Sequence, residues 1–186
     1  MVSPNNGNVA VSEGNVMKKV IRCVLLGVGA GILMLAATAN AKSIAYKDVP
    51  EAVRQAVHHR FEDIRVVGAA TERDEQHKLV YEVTLKDKGR NIDATFTPQG
   101  DIVTVENEIA AADLPKAVAA TLERKYPKAR YKMVEAVHKM SDGKEALAYY
   151  EVLLMDAKRQ AWAVEVAADG AVVGVERKKG LREDED

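Results

Sequence analysis

The side chains with the most chemical potential in this sequence are four histidines, His58, His59, His77 and His138, together with an abundance of carboxylates. A metal site asks for two ligands on one face, at i and i+4 on a helix or i and i+2 on a strand. His58 and His59 are neighbours, so on a helix they diverge by about 100°. Glu62 shares a face with His58, which makes two ligands at most. His77 falls in the polar run Asp74-Glu75-Gln76-His77, and His138 sits within an alternating stretch. The expectation is no metal, no cofactor, and a solvated helix face for His58 and His59.

Nucleophilic catalysis has little to work with. There is no Gly-x-Ser-x-Gly elbow, the one cysteine is Cys23, and the serines that follow it are Ser43 and Ser141. Gly27, Gly29 and Gly31 lie in an apolar run, not in a phosphate-binding loop. Glu82 and Glu151 recur in one slot, Tyr81-Glu82-Val83 and Tyr150-Glu151-Val152. A carboxylate pair can serve as acid and base, yet a solvent-facing strand position used twice accounts for both. The chain reads as a non-enzyme. Tyr149 lies on the opposite strand face from Tyr150 and is exposed if Tyr150 is core. With Leu153, Glu151 and Glu82 it forms the candidate partner-binding set, since exposed tyrosine beside leucine suits a binding hot spot. The alternative is that the two halves of the chain use that face against each other.

Those residues belong to elements that repeat. Val49-Pro50-Glu51-Ala52-Val53 is echoed by Leu114-Pro115-Lys116-Ala117-Val118, Phe61 by Tyr126, and Gly100…Val105-Glu106 by Gly170…Val175-Glu176. Each half opens with a helix, with Asp48 or Asp113 as N-cap and proline in the first turn. Val49, Val53, Val57 and Phe61 make one stripe; Leu114, Val118, Leu122 and Tyr126 make the other. Period-two runs follow: Leu79, Tyr81, Val83, Leu85, then Ile92, Ala94, Phe96, and in the second half Tyr150, Val152, Leu154, then Trp162, Val164, Val166. Weaker strands are expected at 64–72 and 130–139, and turns at Asp87-Lys88-Gly89, Pro98-Gln99-Gly100-Asp101, Ser141-Asp142-Gly143 and Ala168-Asp169-Gly170. The fold class is α+β: two tandem repeats, each one N-terminal helix packed on an antiparallel meander of about four strands. The repeats occupy 42–110 and 111–178, and 179–186 reads as a disordered acidic tail.

The chain has an address as well. Met17-Lys18-Lys19-Val20-Ile21-Arg22, the apolar run Cys23–Ala37 and Ala39-Asn40-Ala41 are the three parts of a secretory signal peptide. Cleavage is expected between Ala41 and Lys42, leaving a periplasmic or secreted protein with no stable membrane span. Residues 1–16 add nothing that export requires and read as a misassigned or dispensable extension. Of the 186 residues, 27 are Lys or Arg and 28 Asp or Glu, a balance that excludes electrostatic capture of nucleic acid. Losing the single cysteine with the leader excludes a disulfide framework, so the exported part must be held by its core.

The exported chain, the two [V/L]-P-x-A-V helix entries, the aromatic at each helix end, Y-E-V in a strand and the glycine turn into V-x-V-E together resemble the PepSY-like, beta-lactamase-inhibitor-like proteins of the bacterial envelope. The resemblance spans residues 44 to about 178. It implies an α+β tandem domain, an extracytoplasmic setting, and binding of another envelope protein as inhibitor or modulator of a hydrolase or peptidase. The alternative function is a periplasmic sensor of a small ligand or metal, using the groove between repeats.

Overall fold

Val49 and Leu114 are held extended ahead of Pro50 and Pro115, as a residue before proline must be. The proline rings then fix the helix entry, and α1 runs Glu51–Arg60 and α2 Lys116–Lys125. Neither helix has a side-chain cap: Pro50 and Pro115 occupy the N-cap positions. The expected aspartate caps are therefore corrected. Asp48 and Asp113 close short 3-10 turns, Tyr46–Asp48 and Ala111–Asp113, and two residues separate them from the helix, too many for a capping contact. Each helix ends alike: Phe61 N–H donates to the Val57 carbonyl and Tyr126 N–H to that of Leu122. The chain then turns through left-handed Asp63 and Lys128.

The structure is a computed structural model and describes residues 41–74, 76–141 and 143–178. The signal peptide over 1–41, save Ala41, and the tail at 179–186 lie outside the described residues, as do Glu75 and Asp142 of the expected loop and turn.

The strands are β1 Lys42–Ser43, β2 Arg65–Arg73, β3 Leu79–Asp87, β4 Arg90–Phe96, β5 Ile102–Glu108, β6 Arg130–Ser141, β7 Lys144–Met155, β8 Ala161–Val166 and β9 Val172–Lys178. They form one nine-stranded sheet in chain order, with every neighbour antiparallel. The described residues are thus α+β, a large antiparallel sheet with two α-helices. β5 pairs with β6 from Thr104 opposite Lys139 to Glu108 opposite Glu135. The two halves therefore lie edge to edge in a single sheet.

Both helices use apolar stripes to cover the sheet. Val53, Val57 and Phe61 pack with Val83, Leu85, Ala94 and Phe96; Val118 and Leu122 pack with Val152, Leu154, Val164 and Val166. Each such side chain contributes about 1.5–3 kcal/mol when fully buried. The hairpin turns brace the helices. Gly100 and Gly170 adopt φ of +92° and +91°, and a Cβ there would stand 2.6 Å from the Ala52 carbonyl oxygen and 2.8 Å from that of Ala117. Only glycine fits either position.

Candidate functional site

Side chains alternate across a strand, so whatever does not face a helix projects from the opposite, helix-free face. On β7 this separates Tyr150, Val152 and Leu154, which pack toward α2, from Tyr149, Glu151 and Leu153. The same alternation gives each of β2 to β8 an acidic residue on the helix-free side: Glu72, Glu82, Asp93, Glu106, Glu135, Glu151 and Glu165.

Register converts that alternation into rows. Glu108 is opposite Glu135, Glu135 opposite Glu151, and Glu151 opposite Glu165. At a strand spacing of about 4.8 Å, four carboxylates occupy a line roughly 14 Å long. The row ends where Glu165 meets Gly174, and a Cβ at that glycine would collide with the Glu165 carboxylate. In the adjoining line Asp93 is opposite Glu106, Glu106 opposite Val137, and Val137 opposite Tyr149. Lys139 brings a cation to this side, with its Nζ 5.3 Å from the centre of the Tyr149 ring. Met133, Leu153 and Ala163 form an apolar cluster on the same face, one residue pair along from the glutamate row.

This crowding changes the acidity of the groups. Burial, then the charges of Asp93, Glu151, Glu82 and Glu108, pushes the Glu135 carboxyl up to about 9. Burial likewise raises Asp93 to about 6; the Thr84 hydroxyl opposes this by hydrogen bonding, while Glu108 and Glu72 reinforce it. Glu106 is raised well above the carboxylate range by burial and by Glu135, Glu151, Asp93 and Glu72. Tyr149 is raised by burial, by Glu165, Glu106 and Glu151, and by its hydrogen bond to Glu165. Glu135 on β6 feels Glu82 on β3, and Glu106 on β5 feels Glu72 on β2. Carboxylates from non-adjacent strands therefore converge, as they do on a concave sheet. Strand irregularities in β2–β3, β4–β5, β6–β7 and β8–β9 supply the bending.

The candidate partner-binding residues all lie on this face, but the expectation of exposure is corrected: Tyr149 is 8% exposed, Leu153 1%, Glu151 3% and Glu82 5%. Period-two patterning assigned the face and could not show that its side chains crowd together. Glu82 and Glu151 are not an adjacent pair, since β4, β5 and β6 lie between their strands.

The histidines are dispersed. His58, His59 and Glu62 are exposed at the end of α1, and His77 is exposed in a turn. His138 is opposite Val105, a helix-side core residue, with its Nδ1 3.5 Å from Asn107 Nδ2. Ser43 and Ser141 are exposed at strand ends. Among the described residues no group of three or more His, Cys, Asp or Glu is placed to hold a metal ion. The sequence reading missed Asp93, Glu106, Glu108, Glu135 and Glu165; the available signal was one acidic residue in the polar slot of successive strands.

The model of a family described as "Putative beta-lactamase-inhibitor-like, PepSY-like" matches residues 36–104 and 80–142. Among solved structures, a protein from Bacteroides eggerthii described as a putative periplasmic protein is 14% identical with a TM-score of 0.56, covering 69% of this chain and 88% of its own. A DUF2874-family protein from Bacteroides uniformis is 16% identical with a TM-score of 0.54, covering 69% and 88%. A BLIP-like protein from Bacteroides fragilis is 13% identical with a TM-score of 0.52, covering 73% and 92%. At these identities the likeness is one of fold. No curated protein matches the chain. Among the described residues no helix is long and apolar enough to cross a membrane.

Proposed function

Because this chain belongs to the PepSY-like, beta-lactamase-inhibitor-like family, we propose that it is an exported envelope protein that acts by binding another protein and catalyses nothing. The basic, apolar and Ala-x-Ala segments ending at Ala41 support export, and the fold relative described as periplasmic supports the compartment. The observation that carries the binding reading is the family match, described as beta-lactamase-inhibitor-like, over residues 36–104 and 80–142. Catalysis is disfavoured because the carboxylates share a face with neither the exposed histidines of α1 nor a serine positioned as nucleophile.

The architecture reads as a duplication. Matching 3-10 turns, proline entries, helix exits and helix-bracing glycines recur in both halves, which is what two copies of one helix-plus-four-strand unit would leave. The finer role, inhibitor or modulator of an envelope hydrolase, follows from the family's description and is tested by assaying envelope hydrolases with and without the purified protein. The binding reading itself is tested by photo-crosslinking in cells making the full chain. A crosslinker placed in turn at the exposed apolar residues Leu79, Leu147, Val173 and Val175 is expected to form a discrete protein adduct from at least one of them. No adduct from any surface position would refute it.

A further inference from the structure

The two halves of the chain are joined in the sheet by one strand pair, and the surface that makes the join recurs, uncovered, at the end of the sheet. Ile102–Glu108 of β5 and Val172–Lys178 of β9 correspond residue for residue. They also pair alike with the strand before them. Phe96 is opposite Ile102 and Thr95 opposite Thr104, as Val166 is opposite Val172 and Glu165 opposite Gly174, with the same extra residue at Val103 and Val173. β5 and β9 therefore present equivalent outer edges. On β5 that edge is taken by β6, from Thr104 opposite Lys139 to Glu108 opposite Glu135, and Val105 is 2% exposed. β9 ends the sheet among the described residues. Its Val175, the counterpart of Val105, is 48% exposed beside Val173 at 51%. An open edge strand is a template for another strand, and Val172–Val175 carries no charge to blunt it.

A second copy has few strands to offer this edge. In a head-to-tail array the counterpart of β6 is β2, but β2 is already held where the pairing would form. Lys42 and Ser43 of β1 are opposite Thr71 and Ala70, just as Asn107 and Glu108 are opposite Ala136 and Glu135. That leaves β9 itself, related by a two-fold axis. With the axis at Val175, all 7 residues of β9 overlap. Val175 meets the partner's Val175, Val173 falls opposite the partner's Arg177, Gly174 opposite Glu176 and Val172 opposite Lys178. No like charges are opposed, and Val173 lies on the diagonal to the partner's Val175, within contact range in an antiparallel pair. The edge is thus self-complementary, which favours a second copy over a different protein.

We propose that β9 pairs antiparallel with β9 of a second copy of this chain about a two-fold axis at Val175, joining two nine-stranded sheets into one and covering Val173 and Val175. The pairing is additional to the binding of another protein and is not required by it. One strand per copy makes a small interface, so the association is weak.

The test is sedimentation equilibrium of the protein purified after export of the full chain, at concentrations from about 1 μM to about 1 mM. Monomer at the low end, dimer at the high end and no larger species are expected. Val175→Lys sets like charges against each other on the axis and should weaken dimerisation at least ~10-fold, with the melting temperature of the dilute monomer unchanged. Leu79→Lys, at an exposed apolar residue away from β9, should leave dimerisation as it is. Val175→Cys is the second variant should the lysine disturb folding. With oxidised glutathione as oxidant it should link copy to copy at least ~10-fold faster than Val173→Cys, whose position does not face its own copy. Monomer at every concentration, assemblies that grow beyond the dimer, unchanged dimerisation of Val175→Lys, or equal linking by the two cysteine variants overturns the proposal. Dimerisation that appears only once residues 179–186 or a retained leader are removed assigns the edge to the chain itself and also overturns it. A crosslink from Val175 to a different protein in place of a second copy removes this proposal and leaves the binding reading standing. A dimer that yields no adduct to any other protein does the reverse.

Discussion

Replacing Glu135 with glutamine should stabilise the free protein at pH 8 and leave its stability at pH 4.5 nearly unchanged. The carboxyl lies between Glu108 and Glu151 in the row and is raised from 4.5 to about 9, first by burial and then by its acidic neighbours. A folded-state value above the unfolded one means that the native protein binds more protons over that interval. Stability is therefore full below about 4.5 and falls as pH rises toward about 9. One group losing about 1.4 kcal/mol per pH unit gives an upper bound of roughly 5 kcal/mol between pH 4.5 and 8. Because Glu106 and Asp93 titrate in the same field and add losses of their own, the share that belongs to Glu135 alone is expected to be about 2–4 kcal/mol. Glutamine keeps the shape, cannot ionise, and should recover most of that difference at pH 8. Urea denaturation followed by circular dichroism at both pH values reads it directly. Equal wild-type stability at the two pH values, or a Gln variant less stable than wild type at pH 8, would refute the reasoning by showing that Glu135 is ionised and paired in the native state.

Three further outcomes follow from the same structure. Asp93, raised to about 6, adds its own loss between roughly pH 4 and 6, whereas Asp156 is lowered by hydrogen bonds from the Gln160 backbone and the Trp162 ring and withdraws its contribution only as pH falls below the usual carboxylate range; a pH series of melting temperatures should accordingly peak at about pH 4–5. Gly100→Ala and Gly170→Ala should each cost about 1–3 kcal/mol, because each combines left-handed φ with a backbone oxygen within 3 Å of the new Cβ, and denaturant midpoints for the two should fall together. Val53→Ala and Val118→Ala, both at fully buried positions in separate helix-packed clusters, should each lose about 1–3 kcal/mol. A double-mutant cycle should find the two losses additive within about 0.5 kcal/mol.

How far the sequence revealed this molecule depended on whether the deciding interaction was local. The proline entries at Pro50 and Pro115, the stripes through Val53 and Val118, and the alternation of Val83 with Glu82 are local, and they located the helices and the two faces of each strand. The capping role expected of Asp48 and Asp113 failed because the intervening Val-Pro pairs hold the chain extended before the helices begin. Tyr149, Leu153, Glu82 and Glu151 were placed on the correct face and given the wrong environment. Alternation distinguishes two sides of a strand but does not say how the strands curl. The glutamate row was beyond reach for a related reason: it depends on β5 pairing with β6 and on the offset of each hairpin, and these are set by contacts between residues distant in the chain.

The account rests on buried, crowded carboxyls whose acidity is lowered by burial and by one another, Glu135 most of all. Following side-chain carboxyl carbon resonances of the exported protein against pH measures this residue by residue. The account predicts that Glu135 titrates at about 9 and Asp93 at about 6. Midpoints for both groups within the ordinary range of about 3.5–4.5 would contradict it.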